Sequence, residues 1–377
     1  MLSLRKFAKR FFIFLNVAIG LLFLLACCNS FLHPDKWWFI SLLAFLFPLL
    51  LLLLLLFIFF WLFVCSRYIL ISLICLVAGW QNVHSFFGFS LAKHDFTYKD
   101  SASIRLMTWN VRRWDEFSTK KIGTSGHRLL MLDLVKKQHA DIVCFQEFYE
   151  PLDSAKSNIR YICGQLDFPY FLFSRDYHNH QLKYETGVVI FSKYPIVATS
   201  QTHYNSDTLQ KTESLIAADI NVNGKIIRVF TTHLQSVLFK TNDFRNVEII
   251  RNADDSILLA SRSLAKKLKL ALGLRGYQAD TVRKHLDASP YPHVICGDFN
   301  DVPNSYTYFH IRGDLQDAFI KKCFGIGRSY IHISPTLRID YILPSQEFVV
   351  VQTMRVTSPY SDHHAILTDL QLQDRKR

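Results

Sequence analysis

Long apolar runs near the start of the chain limit what it can fold into. Phe11 to Cys28 is an apolar run of 18 residues, and Trp37 to Val64 is another of 28 residues. Because an α-helix rises about 1.5 Å per residue, each run is long enough to cross a hydrocarbon core about 30 Å thick. The sequence therefore predicts at least two transmembrane helices in the first part of the chain.

The first apolar run has an alternative interpretation as a cleaved signal peptide. Leu24-Leu25-Ala26-Cys27 loosely resembles a lipoprotein cleavage site. A signal peptide is a single short apolar segment, whereas here a second and longer apolar run follows almost at once. The two runs together favour a membrane anchor with several spans.

A third segment, Tyr68 to Phe89, decides on which side of the membrane the rest of the chain lies. It begins strongly apolar, but polar residues interrupt it from Gln81 onward. Four cations before Phe11 favour a cytoplasmic N-terminus by the positive-inside rule. Three spans would then place the remainder outside the cytoplasm, and two would keep it inside. We expect three, because Ser66-Arg67 suits a cytoplasmic turn.

The charge pattern divides the chain near Ser90. The charged residues before that point are few, namely Arg5, Lys6, Lys9, Arg10, Asp35, Lys36 and Arg67. The remainder carries 37 Lys and Arg against 30 Asp and Glu, a surplus of about +7. Such a surplus suits a polyanionic substrate or an anionic membrane surface, although it also serves solubility. The sequence predicts a membrane anchor at residues 1–91, a linker at 92–103 and a globular domain at 104–377.

Strand-like and helical patterns alternate after residue 103. The strand-like runs are Ile104 to Trp109, Ile142 to Phe145, Val188 to Phe191, Ile226 to Thr232, Val294 to Cys296 and Tyr341 to Leu343. Helical spacing covers Leu129 to Gln138, Phe244 to Leu272 and Gln278 to Leu286. This alternation predicts an α/β domain with mixed sheets.

The cysteines indicate neither a zinc site nor a disulfide framework. None of the eight shows zinc-finger spacing, and Cys144 and Cys296 lie inside apolar runs that resemble buried strands. A buried cysteine behaves as a small hydrophobic residue, so free thiols are expected.

Polar residues recur at the ends of the strand-like runs, where an α/β fold tends to assemble its site. They are Asn110, Glu147, His233, Asp298, Asn300, Asp340, Asp362 and His363. Each taken alone has a structural alternative, since an Asn after a strand often forms a turn and a lone His is more often structural. The eight as a set call for a common explanation.

The order and separation of six short motifs provide that explanation. The motifs are Met107-Thr108-Trp109-Asn110-Val111, Phe145-Gln146-Glu147, Thr232-His233-Leu234, Gly297-Asp298-Phe299-Asn300-Asp301, Arg338-Ile339-Asp340-Tyr341 and Ser361-Asp362-His363. They resemble the endonuclease/exonuclease/phosphatase (deoxyribonuclease I-like) family. Gly187 through Pro195 and Val302-Pro303-Asn304-Ser305 are further matches. The resemblance covers roughly Ile104 to Leu370, nearly the whole domain.

The resemblance implies an α/β (α+β) fold, a four-layer αββα sandwich with two packed mixed β-sheets, preceded here by transmembrane helices. It also implies Mg²⁺, with Mn²⁺ as an alternative. The residue types agree, because oxygen ligands without a Cys/His cluster suit a hard cation that keeps waters and binds substrate phosphate.

The resemblance also implies roles for the candidate residues. Glu147 is expected to be the principal metal ligand, with Asn110 and Asp362 beside it; Asn110 also belongs to the catalytic set. Asp298 would orient or deprotonate the attacking water, and Asn300 would donate to the phosphoryl oxygens. These roles meet the needs of phosphoester hydrolysis, which are charge neutralisation, an aligned water and help for the leaving oxygen.

Two histidines complete the implied site. His363 would contact the phosphate, with its tautomer fixed by Asp340. His233 lies in a Thr-His-Leu element that resembles the branch containing deoxyribonuclease I, sphingomyelinases and inositol polyphosphate phosphatases. It would serve as general acid, with a structural role as the alternative. Asp317 also matches a family pattern, and we interpret it as structural.

The implied activity is hydrolysis of phosphodiester or phosphomonoester bonds at a membrane. Expected substrates are a phospholipid or sphingolipid head group, an inositol phosphate, or nucleic acid cleaved by an anchored nuclease. A catalytically inactive scaffold is the alternative of another class, although the complete motif set argues against it. The lipid bilayer is the expected partner, and no protein partner is inferable.

Overall fold

The computed structural model describes residues 2–91, 96, 98–117, 126–204, 213–237 and 257–373. The chain forms two compact units. The first comprises Met1–Phe87, Ser236–Ala279 and Val302–His310, and the second comprises Gly88–Gln235, Asp280–Asp301 and Ile311–Arg377. The anchor, linker and domain boundaries expected from the sequence stay a prediction, and most of residues 92–97 lie outside the described residues.

The first unit begins with apolar helices. They are α1 (Leu2–Cys28), α2 (Pro34–Val64), α3 (Ile69–Ala78) and α4 (Trp80–Phe86). Two segments are long and apolar enough to span a membrane, Leu4–Cys28 and Pro34–Val64, which confirms the two apolar helices expected from the sequence. The helical segments Ser66–Ala78 and Trp80–Phe86 meet at a bend of 69° and would count together as a third, broken span.

Small and polar residues bring the apolar helices into contact. Ser72 Oγ donates to Asn16 Oδ1 at 2.9 Å, which satisfies two polar groups that are fully buried. A side chain at Gly20 would collide with Cys75, so α1 and α3 approach closely there. Interhelical hydrogen bonds and small residues are the usual means of joining helices in a membrane. This packing is therefore compatible with a bilayer environment.

A proline inside α2 leaves a carbonyl group for another part of the chain. Pro48 has no N–H, so the carbonyl of Ala44, four residues earlier, loses its helical partner. Asn304 Nδ2 donates to this carbonyl at 3.3 Å. Asn29 Nδ2 in turn donates to the Asn304 carbonyl at 3.4 Å. The buried Asn304 thus fixes the segment Val302–His310 against α2 and the end of α1.

The sequence predicted two helices with a break near residues 273–277, and this prediction is wrong. A single helix, α7 (Ile257–Asp287), continues through these residues. Residues 244–256 of the first predicted helix lie outside the described residues. Gly276, which lies between the two predicted helices, serves close packing, because a Cβ there would collide with Pro34 and His33. An isolated glycine in a helical pattern often has such a packing reason.

The second unit contains two mixed sheets within its described residues. The strands are β1 (Gly88–Phe89), β2 (Ile104–Asn110), β3 (Ile142–Pro151), β4 (Tyr170–Phe173), β5 (Tyr177–Asn179), β6 (Tyr184–Ser192), β7 (Ile196–His203), β8 (Ser214–Val222), β9 (Lys225–His233), β10 (His293–Asp298), β11 (Phe324–Gly325), β12 (Asp340–Pro344), β13 (Phe348–Val356) and β14 (Ala365–Leu372). One sheet has the order β12-β10-β9-β8-β7. The other has the order β13-β14-β2-β3-β6-β4, with β5 beside β6.

Parallel pairs lie in the middle of each sheet. Strand β2 pairs in parallel with β3, and β9 pairs in parallel with β10. Their neighbours β14 and β12 run antiparallel to them. The ends of β2, β3, β9 and β10 and the starts of β12 and β14 therefore lie at one edge of their sheets, where the candidate residues are found.

The two sheets pack face to face. Their shared core includes Leu106, Cys144 and Ile190 from one sheet and Val229 and Cys296 from the other. The remaining helices are α5 (His127–Lys137), α6 (Asn158–Gln165), α8 (Tyr306–Arg312) and α9 (Ala318–Lys322). Buried side chains of α5 and α6 join a second core on the opposite face of the larger sheet. The two packed mixed sheets confirm the expected fold class.

The six predicted strands and the helix near Leu129 are confirmed, with boundaries displaced by a few residues. Strands β1, β4, β5, β7, β8, β11, β13 and β14 were not predicted. Strands β7 and β13 include exposed positions, whereas β8 and β14 are mostly buried. All eight cysteines are free, which confirms the expectation of free thiols.

Gly297 marks the tightest point between β9 and β10. It has a φ of +141°, and a Cβ there would collide with the Thr232 carbonyl oxygen. Gly297→Ala should therefore lower the free energy of unfolding by about 2–5 kcal/mol, from backbone strain and overpacking together. Gly224→Ala is the matched control, because its φ is also positive but no atom lies within 4 Å of the added Cβ. Thermal unfolding of the detergent-solubilised protein measures both, and equal shifts would contradict the steric argument.

Candidate active site

Asp340 and His363 form a buried pair at the common edge of the sheets. Asp340 Oδ2 lies 2.9 Å from His363 Nδ1, and both residues are buried. Because a carboxylate can only accept, His363 Nδ1 carries the hydrogen and donates it to Asp340. Trp109 Nε1 donates to the His363 carbonyl at 2.9 Å and fixes its backbone. The Nε2 atom of His363 is thereby directed towards the rest of the site.

Asp298 lies at the centre of the polar cluster. Its Oδ2 atom accepts a hydrogen bond from Asn110 Nδ2 at 3.0 Å. The same oxygen is 3.6 Å from His233 Nε2 and 3.7 Å from His363 Nε2. Its Oδ1 atom accepts from the Asn300 backbone N–H at 2.8 Å. One carboxylate therefore connects four of the residues singled out from the sequence.

The pKa values of this cluster depart from their ordinary range. Burial and the neighbouring Asp340 raise the pKa of Asp298 to about 6. Burial alone would lower the pKa of His363, but Asp340 and Asp298 outweigh it and raise the pKa to about 10. His363 is therefore a cation near neutral pH. The Asp298 carboxyl changes its protonation state just below neutral pH.

A bulge in β3 turns Glu147 into the site. The pairing of β3 with β6 shifts between Phe145 and Phe148, and Glu147 has a φ of +50°. A bulge with a left-handed residue redirects a side chain relative to a regular strand. Burial would raise the pKa of Glu147, but the positive charges of His233 and Arg113 lower it. The side chain is therefore a carboxylate at neutral pH.

Two arginines that the sequence interpretation overlooked lie beside the expected metal ligands. Arg113 Nε is 3.4 Å from Glu147 Oε2, and Arg112 Nε is 3.7 Å from Asp362 Oδ2. Four consecutive residues, Arg112 to Asp115, have positive φ values between 46° and 58°. Such strained backbone is typical of functional sites. Their position directly after the Asn110 motif was the only available signal in the sequence.

The donor set around Glu147 fits a divalent cation. Within the described residues, the Glu147 carboxylate has two polar contacts, Arg113 at 3.4 Å and Asn110 Nδ2 at 3.5 Å. The polar contacts of the Asp362 carboxylate are also long, namely Ser361 Oγ at 3.5 Å and Arg112 Nε at 3.7 Å. Carboxylates without short hydrogen bonds retain the capacity to bind a hard cation. Among the described residues, donor atoms of Asp298, Asp340 and His363 also lie within 4.8 Å of one another.

Glu213 is a further residue missed from the sequence. Its Oε1 atom lies 3.6 Å from His233 Nδ1, on the opposite side of the ring from Asp298. Burial raises the pKa of Glu213 to about 7. Burial would lower the pKa of His233, but Glu213 and Asp298 raise it. Glu213 precedes β8, and it was overlooked because β8 itself was not predicted.

Two other sequence interpretations concern Asn300 and Asp317. Asn300 reaches the cluster through its backbone, while its Nδ2 donates to the Leu234 carbonyl at 2.9 Å. Asp317 caps α9 by accepting from the Phe319 backbone and forms a buried ion pair with Arg338 at 2.7 Å. The structural interpretation of Asp317 is confirmed.

Solved structures with the same fold are distant in sequence. An endonuclease/exonuclease/phosphatase from Beutenbergia cavernae aligns with a TM-score of 0.51 at 18% identity, over 72% of each chain. The human Nocturnin catalytic domain, solved with bound sulfate, aligns with a TM-score of 0.51 at 16% identity, over 73% of this chain and 97% of that one. A family protein from Leptotrichia buccalis gives 0.50 at 15% identity, over 71% and 100%. These identities establish the fold alone.

The sequence itself identifies the family. Residues 9–86 match a domain of unknown function, DUF8431. No curated protein sequence matches the chain. Residues 107–363 match the endonuclease/exonuclease/phosphatase family, and they extend from β2 to His363. Since this match covers more than half of the chain, the chain belongs to the endonuclease/exonuclease/phosphatase family, whose members are phosphoesterases.

Proposed function

We propose that this protein is a divalent-metal-dependent hydrolase of phosphodiester bonds in membrane lipid head groups. The observation that carries the hydrolytic part is the buried Asp340–His363 pair, whose Nε2 atom lies 3.7 Å from Asp298. A cationic imidazole next to a carboxylate of raised pKa pairs an electrophile with a base, as phosphoester hydrolysis requires.

Each residue would act at a defined atom. Asp298 Oδ2 would orient the attacking water and take its proton, because a base with a pKa near 6 is largely ionised at neutral pH. His363 Nε2 would donate to a non-bridging phosphate oxygen and offset its charge. His233, held between Glu213 and Asp298, would deliver a proton to the leaving oxygen. Asn300 Nδ2 donates one hydrogen to the Leu234 carbonyl, and its second hydrogen would bond to the phosphoryl group.

Glu147, Asp362 and Asn110 would hold the cation. When bound, Mg²⁺ or Mn²⁺ would supply Lewis-acid neutralisation of the phosphate oxygens. Asn110 Nδ2 donates to Asp298, and Asn110 Oδ1 accepts from the Arg112 backbone N–H at 3.0 Å, so the second lone pair of the amide oxygen would serve the ligand role. Arg112 and Arg113 lie beside Asp362 and Glu147, respectively, and would add positive charge for the phosphate.

The lipid assignment rests on the apolar helices that precede the catalytic domain. If Leu4–Cys28 and Pro34–Val64 span a membrane, they tether the domain to the bilayer and raise the local concentration of lipid head groups. A nuclease is the second candidate, favoured by the surplus of cations after residue 90.

The test is hydrolysis by the full-length protein in nanodiscs. Phospholipid, sphingomyelin, inositol phosphate, DNA and RNA are offered with Mg²⁺, Mn²⁺ or a chelator, and Asp298→Asn serves as the inactive control. We expect cation-dependent release of a head group from lipid substrates. Faster cleavage of nucleic acid than of any lipid would overturn the lipid assignment, and no hydrolysis of any substrate would overturn the proposal as a whole.

We further propose that α3 and α4 complete a third membrane crossing. Asn304 contacts Asn29 and Ala44, and Tyr277 OH donates to Asp35 Oδ2 at 2.8 Å, so two segments from late in the chain pack near the α1–α2 connection. If α1 and α2 both span, this connection and the end of α2 lie on opposite sides. The chain must therefore cross again after Val64. This argument does not depend on the positive-inside rule.

Three spans place the two ends of the chain on opposite sides of the membrane. In sealed right-side-out vesicles, added protease should remove a C-terminal tag and leave an N-terminal tag intact. Inverted vesicles should give the reverse pattern. Protection of both tags in right-side-out vesicles would indicate two spans and a cytoplasmic catalytic domain.

A further inference from the structure

The part of α7 that belongs to the first unit carries only positive charge. From Ile257 to Ala279 its cations are Arg262, Lys266, Lys267, Lys269 and Arg275, and no acidic residue occurs before Asp280. One-sided charge over six helical turns is unusual for an ordinary solvated helix, where both signs are normally mixed. The helix therefore differs from the rest of the chain after residue 90, whose surplus of positive charge is small.

The cations divide between a packed face and an exposed face. Leu264, Ala271 and Leu272 are buried, and so is Arg275. Arg262, Lys266 and Lys269 are exposed and follow the spacing i, i+4 and i+7, which places them on one face of the helix. Leu270 on the same face is 49% exposed. The exposed face thus combines three cations with an apolar side chain.

This face continues the surface where α2 begins. Lys269 Nζ lies 5.9 Å from the centre of the Trp38 ring. Trp37 beside it is 43% exposed, and Tyr277, two turns further along α7, bonds to Asp35. Tryptophan and tyrosine at the start of a membrane helix are typical of the bilayer interface. Lys269 therefore lies at the depth of the lipid head groups if α2 spans the membrane.

We propose that Arg262, Lys266 and Lys269 form a binding surface for anionic phospholipid head groups of the bilayer that holds the anchor. A basic helix face next to interfacial aromatic residues has the charge and the position for this role. Lysine and arginine stems lie along the acyl boundary while their charged ends reach the phosphates. None of these three residues belongs to the proposed hydrolytic site. The surface would bind lipid as a ligand and take no part in hydrolysis.

The contribution of each cation sets the size of the expected effect. A cation near an anionic membrane surface increases association about fivefold. Three such cations together give on the order of a hundredfold preference of the helix for an anionic over a neutral surface. Replacing all three with glutamine should remove that preference and leave the buried face of α7 unchanged.

Hydrogen–deuterium exchange of the full-length protein in nanodiscs measures the surface directly. Discs of phosphatidylcholine are compared with discs that also contain phosphatidylglycerol. We expect the amides of residues 262–270 to exchange more slowly in the anionic discs. The triple variant Arg262→Gln, Lys266→Gln, Lys269→Gln should exchange equally in both. A control variant, Lys136→Gln, Lys137→Gln, Lys156→Gln, removes three exposed cations elsewhere and should keep the wild-type difference.

Further measurements distinguish the possible outcomes. Equal exchange of the wild-type helix in both discs would overturn the proposal, as would loss of the difference in the control variant. Protection by single-stranded DNA in neutral discs, without protection by anionic lipid, would show a nucleic-acid surface instead. Asp298→Asn should retain the lipid-dependent difference, which distinguishes this binding surface from the proposed hydrolysis.

Discussion

Glu147→Gln should leave a folded protein that hydrolyses its best substrate at least a thousandfold more slowly. Glutamine keeps the size of the side chain but removes the charge on which cation binding depends. The Glu147 carboxylate has only long contacts with Asn110 and Arg113, so the fold loses little when the charge is removed. A thousandfold loss corresponds to about 4 kcal/mol of barrier.

Turnover and Mg²⁺ binding by calorimetry measure this effect together. Glu185→Gln is a matched control, because Glu185 lies on β6, next to β3, and pairs with Arg175 outside the site. The control should keep near-normal turnover and cation binding. If Glu147→Gln retained more than about a tenth of wild-type turnover, a barrier change below about 1.4 kcal/mol, its assignment as principal ligand would be wrong.

The second large effect concerns Asp340 and His363 as one unit. His363→Ala removes the cationic imidazole and should slow hydrolysis by roughly two to three orders of magnitude, the range for a lost electrostatic donor. Asp340→Asn should also slow hydrolysis, because an amide lacks the negative charge that raises the pKa of His363 and keeps the imidazole cationic. The double variant should be little slower than His363→Ala alone, since Asp340 acts through the same imidazole ring.

Turnover of the two single variants and the double variant forms the test. Mg²⁺ affinity should change little in Asp340→Asn, because Asp340 holds the imidazole at 2.9 Å and is not one of the proposed ligands. Fully additive losses of barrier would show that Asp340 acts independently of His363. A large loss of cation affinity in Asp340→Asn would instead favour a ligand role for the Asp298, Asp340 and His363 group.

The sequence predicted the candidate site well where its residues lie in short motifs. Asp340 and His363 are 23 positions apart, yet their contact was expected because each lies in a motif at a sheet edge. Glu147 was identified by its motif, but not the bulge at φ +50° that aims it. A bulge depends on pairing between β3 and β6, which one strand alone does not encode.

Longer-range packing explains the remaining differences. Arg112 and Arg113 acquire a place in the site through four left-handed residues, a conformation that local propensity disfavours and tertiary contacts maintain. Helix α7 was predicted as two helices, and the contact of Gly276 with Pro34 and His33 joins residues more than 200 positions apart in sequence. Such contacts have no local signature.

The bond between Asn304 and Ala44 has a consequence for how this chain can change during evolution. Pro48 opens a gap in the hydrogen bonds of α2, and a residue six positions after Asp298 fills it. Removing α1 and α2 would leave Asn304 without these partners, and replacing them with unrelated helices would leave the same defect. The two regions that match separate sequence families are therefore expected to be inherited together, and to lose or gain Pro48 and Asn304 as a pair.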